Sequence, residues 1–185
     1  MKLLIGASNI KPEFPYPVVA IGNFDGLHLG HQAILTQTMK RAKENDGTSI
    51  LLTFEPHPRR LLQPEKTFKL LYTYQSKMRL IENTGIDLAY TTEFNKAFLA
   101  LSPEAFSKNF LYEKMACKEV VVGKNFRFGK DRAGTLEDLV RFGKEFGFKV
   151  VVQDPVWVDG NIVSSSQVRK LVKEGDVRLA GKMLG

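Results

Sequence analysis

The residues best suited to chemistry in this sequence are its three histidines, His28, His31 and His57. His28 and His31 follow an apolar run at residues 18–22, and His57 follows a second apolar run at residues 49–54. Short, continuously apolar runs of this kind are typical of parallel strands that are buried on both faces. Because ligands of open α/β sheets bind at the carboxyl ends of such strands, the positions of the histidines indicate a binding site.

The segment from Gly22 to His31, Gly-Asn-Phe-Asp-Gly-Leu-His-Leu-Gly-His, combines three glycines with two imidazoles at the predicted start of a helix. A helix N-terminus carries unpaired N–H groups and a partial positive charge, which suit a phosphate group. Gly22, Gly26 and Gly30 would allow the phosphates of a nucleotide to approach the backbone closely. Two imidazole donors beside them could stabilise the charge of a pentacovalent phosphorus by position and electrostatics alone.

Two other interpretations of this segment have less support. A zinc site needs a third ligand, and the distant His57 is the one candidate with a suitable side chain. The segment also lacks the Gly-Lys-Ser/Thr of a Walker A loop. We therefore expect an anion site without a metal held by the protein.

Apolar runs and turn residues predict the elements that would position these residues. Strands are predicted at residues 18–22, 49–54, 85–90, 119–123 and 148–153, and helices at residues 31–45, 74–84 and 136–146 and from Ser102 onward. Because strands that alternate with helices form parallel sheets, we predict an α/β fold with a doubly wound, Rossmann-like sheet in one domain of residues 1–185. We also expect a minor inserted subdomain at about residues 56–101, after an extended loop at residues 55–58 whose two prolines disfavour a helix.

The last part of the chain predicts a β-hairpin at residues 156–163 and a helix that begins at Ser164. Ser164 and Gln167 have the spacing of a capping box. Ser164 and Ser165 would offer hydroxyl and N–H groups to phosphate oxygens, and Arg169, about one turn later, could bind the same anion through its guanidinium fork. The structural alternative is an ordinary helix cap with a solvated arginine.

Four segments taken together resemble a known family. Residues 22–31 resemble the His-x-Gly-His signature of the nucleotidyltransferase superfamily, and more narrowly the FMN adenylyltransferase (FAD synthetase) module of bacterial bifunctional riboflavin kinase/FAD synthetases. Residues 54–58 resemble the proline-rich loop of that module, and residues 122–129 resemble its Gly-x-x-Phe-x-Phe-Gly segment. Residues 164–169, with Ser-Ser-Ser where threonine is common at the third position, resemble its Ser-Ser-Thr/Ser-x-Ile-Arg motif.

The resemblance implies that the 5′-phosphate of FMN attacks the α-phosphate of ATP, giving FAD and pyrophosphate. Mg²⁺ would arrive with ATP and bridge its phosphates. The implied ATP-binding residues are Gly22, Asn23, Phe24, Asp25, His28, Gly30, His31, Ser164, Ser165 and Arg169, of which His28, His31 and Arg169 would be catalytic. The implied FMN-binding residues are Phe54, Pro56, His57, Pro58, Arg59, Asn125, Phe126 and Phe128.

The FMN-binding residues also have a physical interpretation of their own. Asn125, Phe126 and Phe128 follow a predicted strand and offer an amide and aromatic faces to a flat ring. The prolines of residues 56–58 would form a rigid wall, and Arg59 could bind a phosphate. The structural alternatives are two phenylalanines packed in the core and a solvated arginine.

Composition narrows the class of protein. The content of 43% hydrophobic and 25% charged residues is ordinary for a globular domain, and the net charge of +7 at pH 7 favours anionic partners. The basic residues are dispersed, which argues against nucleic acid as a partner. No apolar run approaches the length of a membrane span, and the single cysteine, Cys117, indicates a reducing cytoplasm.

The bifunctional proteins continue into a riboflavin kinase module, and this chain ends about where that module would begin. We therefore expect either a naturally monofunctional protein or a shortened form, in both cases without riboflavin kinase activity. One alternative is another adenylyl- or cytidylyltransferase of the superfamily. Others are a flavin- or nucleotide-binding protein with a degenerate site and, supported only by net charge, a nucleic-acid-binding module.

Overall fold

A computed structural model describes residues 1–6, 14–62 and 68–185, with a six-stranded parallel sheet at the centre. The strands of this sheet are β1 (Lys2–Ile5), β2 (Pro17–Ile21), β3 (Thr48–Glu55), β4 (Leu88–Glu93), β5 (Glu119–Gly123) and β6 (Lys149–Gln153). The predicted hairpin is present as the antiparallel pair β7 (Trp157–Val158) and β8 (Asn161–Ile162).

Helices connect the strands and cover both faces of the sheet. They are α1 (Leu29–Glu44), α2 (Pro58–Leu62), α3 (Tyr74–Glu82), α4 (Lys96–Leu99), α5 (Pro103–Ala105), α6 (Leu136–Phe146), α7 (Ser165–Glu174) and α8 (Val177–Leu184). A π-helical segment, Phe106–Lys114, continues α5, and a 3₁₀ turn, Lys130–Arg132, precedes α6. None of the described helices is both long and apolar enough to cross a membrane.

The order of strands across the sheet is β1-β4-β3-β2-β5-β6, and it reverses direction beside β2. The chain adds β3 and then β4 on one side of β2 and returns to form β5 on the other side, with every pair parallel. This confirms the predicted doubly wound, Rossmann-like α/β fold. Its switch point lies between β2 and β5, where the sheet leaves a crevice for a ligand.

The core forms on both faces of the sheet because alternate strand residues point to opposite sides. Val19 and Ile21 of β2 pack into one apolar cluster, together with the π-helical segment and α6. Val18 and Ala20 pack into the other, together with α1 and α3. Since β2 is buried along its whole length, packing on both faces fixes the position of the residue from which the following turn begins.

The fourth strand begins later than predicted. A strand was expected at residues 85–90, whereas β4 begins at Leu88. Gly85, with a φ of 87°, belongs to the turn that follows α3. The carboxylate of Asp87 accepts hydrogen bonds from the N–H and hydroxyl of Ser49 in β3 at 2.9 and 2.6 Å, so Asp87 is held to β3 by its side chain before β4 begins.

The proline-rich loop is shorter than predicted. It was expected at residues 55–58, but Pro58 is the first residue of α2. A proline at this position loses no helical hydrogen bond, because the first N–H groups of a helix have no internal partner. Residues 56–101 contribute β4 to the central sheet, and a separate subdomain within them stays a prediction.

Candidate active site

Two adjoining cavities lie at the switch point of the sheet. The wide cavity has a volume of about 530 Å³ and is lined by Gly22, Asn23, Phe54, Pro58 and Phe128, among others. The narrow cavity has a volume of about 220 Å³ and is lined by His28, Gly30, His31, Val156 and Ser164, among others. Asn125 and Phe126 line both cavities, so ligands in the two would meet at these residues.

The walls of the wide cavity are largely aromatic. Phe126 and Phe128 stack with their rings 5.6 Å apart and 14° from parallel. Phe54 packs against Phe94 and Phe98 at 5.5 and 5.6 Å. A cavity with aromatic walls and a few polar groups favours a flat, largely apolar ring system.

The narrow cavity has His28 and His31 at the start of α1. His28 is the N-cap residue, and its Nδ1 accepts a hydrogen bond of 3.3 Å from the backbone N–H of His31. An Nδ1 that accepts a hydrogen bond carries no proton, so the neutral ring holds its proton on Nε2 as a donor. The two imidazoles stack with their centroids 3.7 Å apart.

Both imidazoles are neutral at pH 7 because burial disfavours their charged forms. Burial lowers the pKa of His28 to about 4. Burial, followed by the nearby His28, Lys77 and Arg169, lowers the pKa of His31 well below its ordinary value. Within the described residues the buried Nδ1 of His31 has no hydrogen-bond partner. The pair can therefore supply hydrogen-bond donors without the desolvation cost of a buried imidazolium.

The start of α7 is tied to the turn after β2. Ser165 donates a hydrogen bond of 2.7 Å from its hydroxyl to the backbone carbonyl of Asp25. The Asp25 carboxylate accepts hydrogen bonds from the guanidinium of Arg169 and from the backbone N–H of Leu71 at 3.0 Å. Ser164 caps α7, accepting from the N–H of Gln167 at 3.2 Å. The N-termini of α1 and α7 thus meet at the narrow cavity, where both favour an anion.

Three of the predicted site residues contact the ring of Phe68 and line neither cavity. The guanidinium of Arg169 lies 4.4 Å from the centre of this ring, and that of Arg59 lies 5.2 Å from it. The imidazole of His57, whose pKa burial lowers to about 4, lies 4.7 Å from the same ring. Arg169 also donates from Nε to the carbonyl of Lys69 at 3.0 Å.

The predicted site residues therefore divide into two groups. Those that line a cavity are Gly22, Asn23, His28, Gly30, His31, Phe54, Pro58, Asn125, Phe126, Phe128 and Ser164. Those that line neither are Phe24, Asp25, Pro56, His57, Arg59, Ser165 and Arg169. Phe24 is fully buried beneath His31, with the two rings 5.0 Å apart, so it supports the site from below.

Lys77 is a site residue that sequence reasoning missed. It lies on α3, is 7% exposed and has a pKa that burial lowers to about 8. Its Nζ donates to the backbone carbonyl of Asn23, a residue of the wide cavity, at 3.2 Å. The spacing of Lys77 and Ile81 could have indicated its burial. Lys77 precedes the apolar Ile81 by one helical turn and therefore lies on the same buried face of α3.

The sequence matches the family model described as FAD synthetase over residues 11–167. It is 38% identical over 186 residues to the bifunctional riboflavin kinase/FMN adenylyltransferase of Buchnera aphidicola subsp. Schizaphis graminum, covering 100% of this chain and 60% of that protein. It is 36% identical over 185 residues to the protein of the same description from Pseudomonas fluorescens, covering 100% and 59%.

The fold also has a solved counterpart. A crystal structure described as a macrolide-efflux protein from Streptococcus pneumoniae superposes with a TM-score of 0.84 at 26% identity. The match covers 100% of this chain and 60% of that one. The chain thus spans about 60% of the length of these relatives.

Proposed function

The chain belongs to the FAD synthetase family, and on that premise we propose that it transfers the adenylyl group of ATP to the 5′-phosphate of FMN. The products are FAD and pyrophosphate. FMN occupies the wide cavity, with its ring among the phenylalanines, and ATP occupies the narrow cavity, with its phosphates at the two helix N-termini.

The observation that carries this proposal is the junction of the two cavities at Asn125 and Phe126. A transfer between two bound substrates needs the nucleophile and the reacting phosphorus in contact, which adjoining cavities provide. One cavity suits a flat ring and the other suits an anion, in agreement with the chemistry of FMN and of a triphosphate.

The reaction is a single displacement. An oxygen of the FMN phosphate attacks the α-phosphorus of ATP, while the bond from that phosphorus to the leaving pyrophosphate oxygen breaks. The phosphate of FMN is largely dianionic at neutral pH, so no side chain needs to remove a proton. The Nε2–H of neutral His28 and the free N–H groups of α1 and α7 stabilise the charge on the phosphoryl oxygens.

Arg169 joins this site when ATP binds. In the structure its guanidinium pairs with Asp25, at the turn between the two helix N-termini. The guanidinium donates a single hydrogen bond to Asp25, whereas a phosphate can accept two parallel hydrogen bonds from the same group. We therefore propose that Arg169 stabilises the departing pyrophosphate, with Ser164 and Ser165 as further donors.

Mg²⁺ would enter bound to ATP and would neutralise part of the phosphate charge during the transfer. We propose the cytoplasm as the location, since Cys117 is a buried free thiol. Nucleic acid is not among the proposed partners, because the basic residues are dispersed along the chain.

The test is incubation of the purified chain with FMN and Mg-ATP, with FAD and pyrophosphate measured as they form. Equal amounts of the two products are expected. Absence of FAD, with turnover of nicotinamide mononucleotide, phosphopantetheine or glycerol phosphate, would identify another transferase of the superfamily. Binding of FMN without turnover of any acceptor would indicate a non-catalytic flavin-binding protein.

A further inference from the structure

The ammonium of Lys77 closes a hydrogen-bonded triangle beneath the site. Its Nζ donates to the backbone carbonyl of Asn23 at 3.2 Å and to the hydroxyl of Thr53 at 3.1 Å. The hydroxyl of Thr53 in turn donates to the same carbonyl at 3.3 Å. All three groups are thereby fixed beside the carboxyl ends of β2 and β3.

This arrangement costs the fold stability. A buried ammonium loses its hydration, and Lys77 is 7% exposed. Its hydrogen-bond partners within the described ranges are a neutral carbonyl and a neutral hydroxyl. Glu55 and Asp25 favour the charged form from a distance. An apolar side chain of the same length would fill the space at lower cost, so the charge has a use other than packing.

The carbonyl that Lys77 holds begins a strained turn. Phe24 and Leu27 follow it with φ values of 51° and 37°, in the left-handed region that side chains disfavour. Such residues persist only where their surroundings fix them. The hydrogen bonds of Asp25 fix the middle of the turn, and its far end is His28, the N-cap of α1.

We propose that Lys77 is a positioning residue for adenylyl transfer, holding the carbonyl of Asn23 so that the turn delivers His28 and His31 to the junction of the two cavities. The inference rests on the proposed function. Loss of the Lys77 ammonium should lower kcat without lowering the stability of the fold, two properties that usually fall together when a buried residue is replaced.

The test compares Lys77→Met with Arg79→Met, which removes an exposed cation from the same helix. Lys77→Met should lower kcat about tenfold or more, because small displacements of reacting groups are costly. KM for FMN and for ATP should stay within about threefold, since the phenylalanines of the wide cavity and the N-terminus of α7 are not altered. The Tm should be unchanged or higher, and amide exchange should become faster at residues 22–28. Arg79→Met should change none of these.

Several outcomes would overturn the proposal. These are a kcat of Lys77→Met within about twofold of the wild type, a Tm that falls together with kcat, or failure of Lys77→Met to fold. Thr53→Val provides a second variant, since it removes the other donor to the carbonyl; unchanged kcat and exchange in this variant would also count against the triangle. A wild-type chain that makes no FAD would refute the proposed function, and the exchange and Tm data would still decide whether Lys77 holds the turn.

Discussion

His28 combines two tasks that belong to different atoms of one ring. Its Nδ1 caps α1 by accepting from the N–H of His31, and this fixes the proton on Nε2, which is the donor proposed for the phosphoryl oxygens. Burial keeps the ring neutral, so it donates a hydrogen bond without bringing a charge into the site. Substitutions can separate the two tasks.

Replacement of His28 by Ala or Asn should separate the cap from the donor. Asn can cap the helix but does not reach as far as Nε2, whereas Ala does neither. Both variants should lose about 10²–10³ in kcat, the usual cost of a lost transition-state donor. Only His28→Ala should also lose about 1 kcal/mol in the free energy of unfolding. The measurements are steady-state kinetics, FMN binding followed by flavin fluorescence, and urea unfolding.

The affinity for FMN distinguishes a loss of the chemical step from a loss of binding in these variants. FMN should bind both variants within about threefold of the wild type, because His28 lines the other cavity. Equal losses in kcat and in FMN affinity would show that His28 only shapes the pocket.

The sequence predicted the roles of some site residues and not of others. His28 and His31 could be predicted because their types and their place after a buried strand both point to ligand binding. The spacing of Lys77 and Ile81 could have placed Lys77 on the buried face of α3. Its contacts with Asn23 and Thr53 could not be predicted, since these partners are distant in sequence and meet Lys77 only in the folded chain. Phe24, predicted to bind ATP, is an aromatic residue whose burial sequence alone does not reveal.

At the level of elements, the turn after β5 packs directly against the start of α5. Gly129 has a φ of 71°, and a Cβ built there would lie 2.7 Å from the backbone nitrogen of Pro103. The N–H of Lys130 donates to the carbonyl of Leu101 at 2.7 Å. This contact positions Phe128 in the wall of the wide cavity.

Gly129→Ala should destabilise the fold more than Gly147→Ala, because the two glycines differ in their contacts and in their backbone conformations. Both glycines have positive φ, but a Cβ at Gly147 meets nothing within 4 Å. Gly147→Ala should cost about 1 kcal/mol in the free energy of unfolding, for the left-handed backbone alone. Gly129→Ala should cost about 3 kcal/mol, because the φ of 71° and ψ of −177° at Gly129 form a backbone conformation that only glycine adopts readily, and because a Cβ there would also force α5 away from the turn. It should also weaken FMN binding, since Phe128 lines the wide cavity. Chemical unfolding and flavin fluorescence measure the two effects, and equal unfolding costs would contradict the contact with Pro103.

Elements with strong local signals were predicted to within a residue or two. The helix predicted at residues 136–146 is α6, with its Thr135 cap, and the predicted Ser102 cap is present at α5. β1 was not predicted because it is a short, exposed edge strand with a run of only three apolar residues. α8 was missed although Gly175 and Asp176, which end α7 and cap α8, are a recognisable stop and start.

The whole molecule should lose stability in mild acid because the environments of its three histidines all favour the neutral ring. Each has a pKa below its ordinary value in the folded chain, and those of His28 and His57 are about 4. Between pH 6.5 and 4 the unfolded chain therefore binds more protons than the folded one. The free energy of unfolding should fall as the pH falls through this window and be insensitive to these groups above it.

His57→Gln provides the check on this pH dependence. Each unit of pKa shift corresponds to about 1.4 kcal/mol, so this variant should lose about 2 kcal/mol less than the wild type between pH 7 and 4.5. Urea unfolding at both pH values gives the comparison. Identical losses in the two proteins would mean that His57 titrates normally in the folded chain.

Across the whole molecule, the parallel sheet follows from the alternation of buried strands and amphipathic helices, which is visible in the sequence. The joining of the two cavities at Asn125 and Phe126 is not visible there, because it depends on how the turn after β5 packs against β2 and the hairpin of β7 and β8. That junction is the basis for the proposed direct transfer between two bound substrates.

Direct transfer is tested most sharply by stereochemistry at the α-phosphorus. The chain is incubated with FMN, Mg²⁺ and one diastereomer of ATP that carries sulfur on this phosphorus, and the configuration of the thio-substituted FAD is determined. A single in-line attack by the FMN phosphate requires inversion, which we expect. Retention would contradict direct transfer, because it requires two displacements and an adenylyl group held on the protein between them.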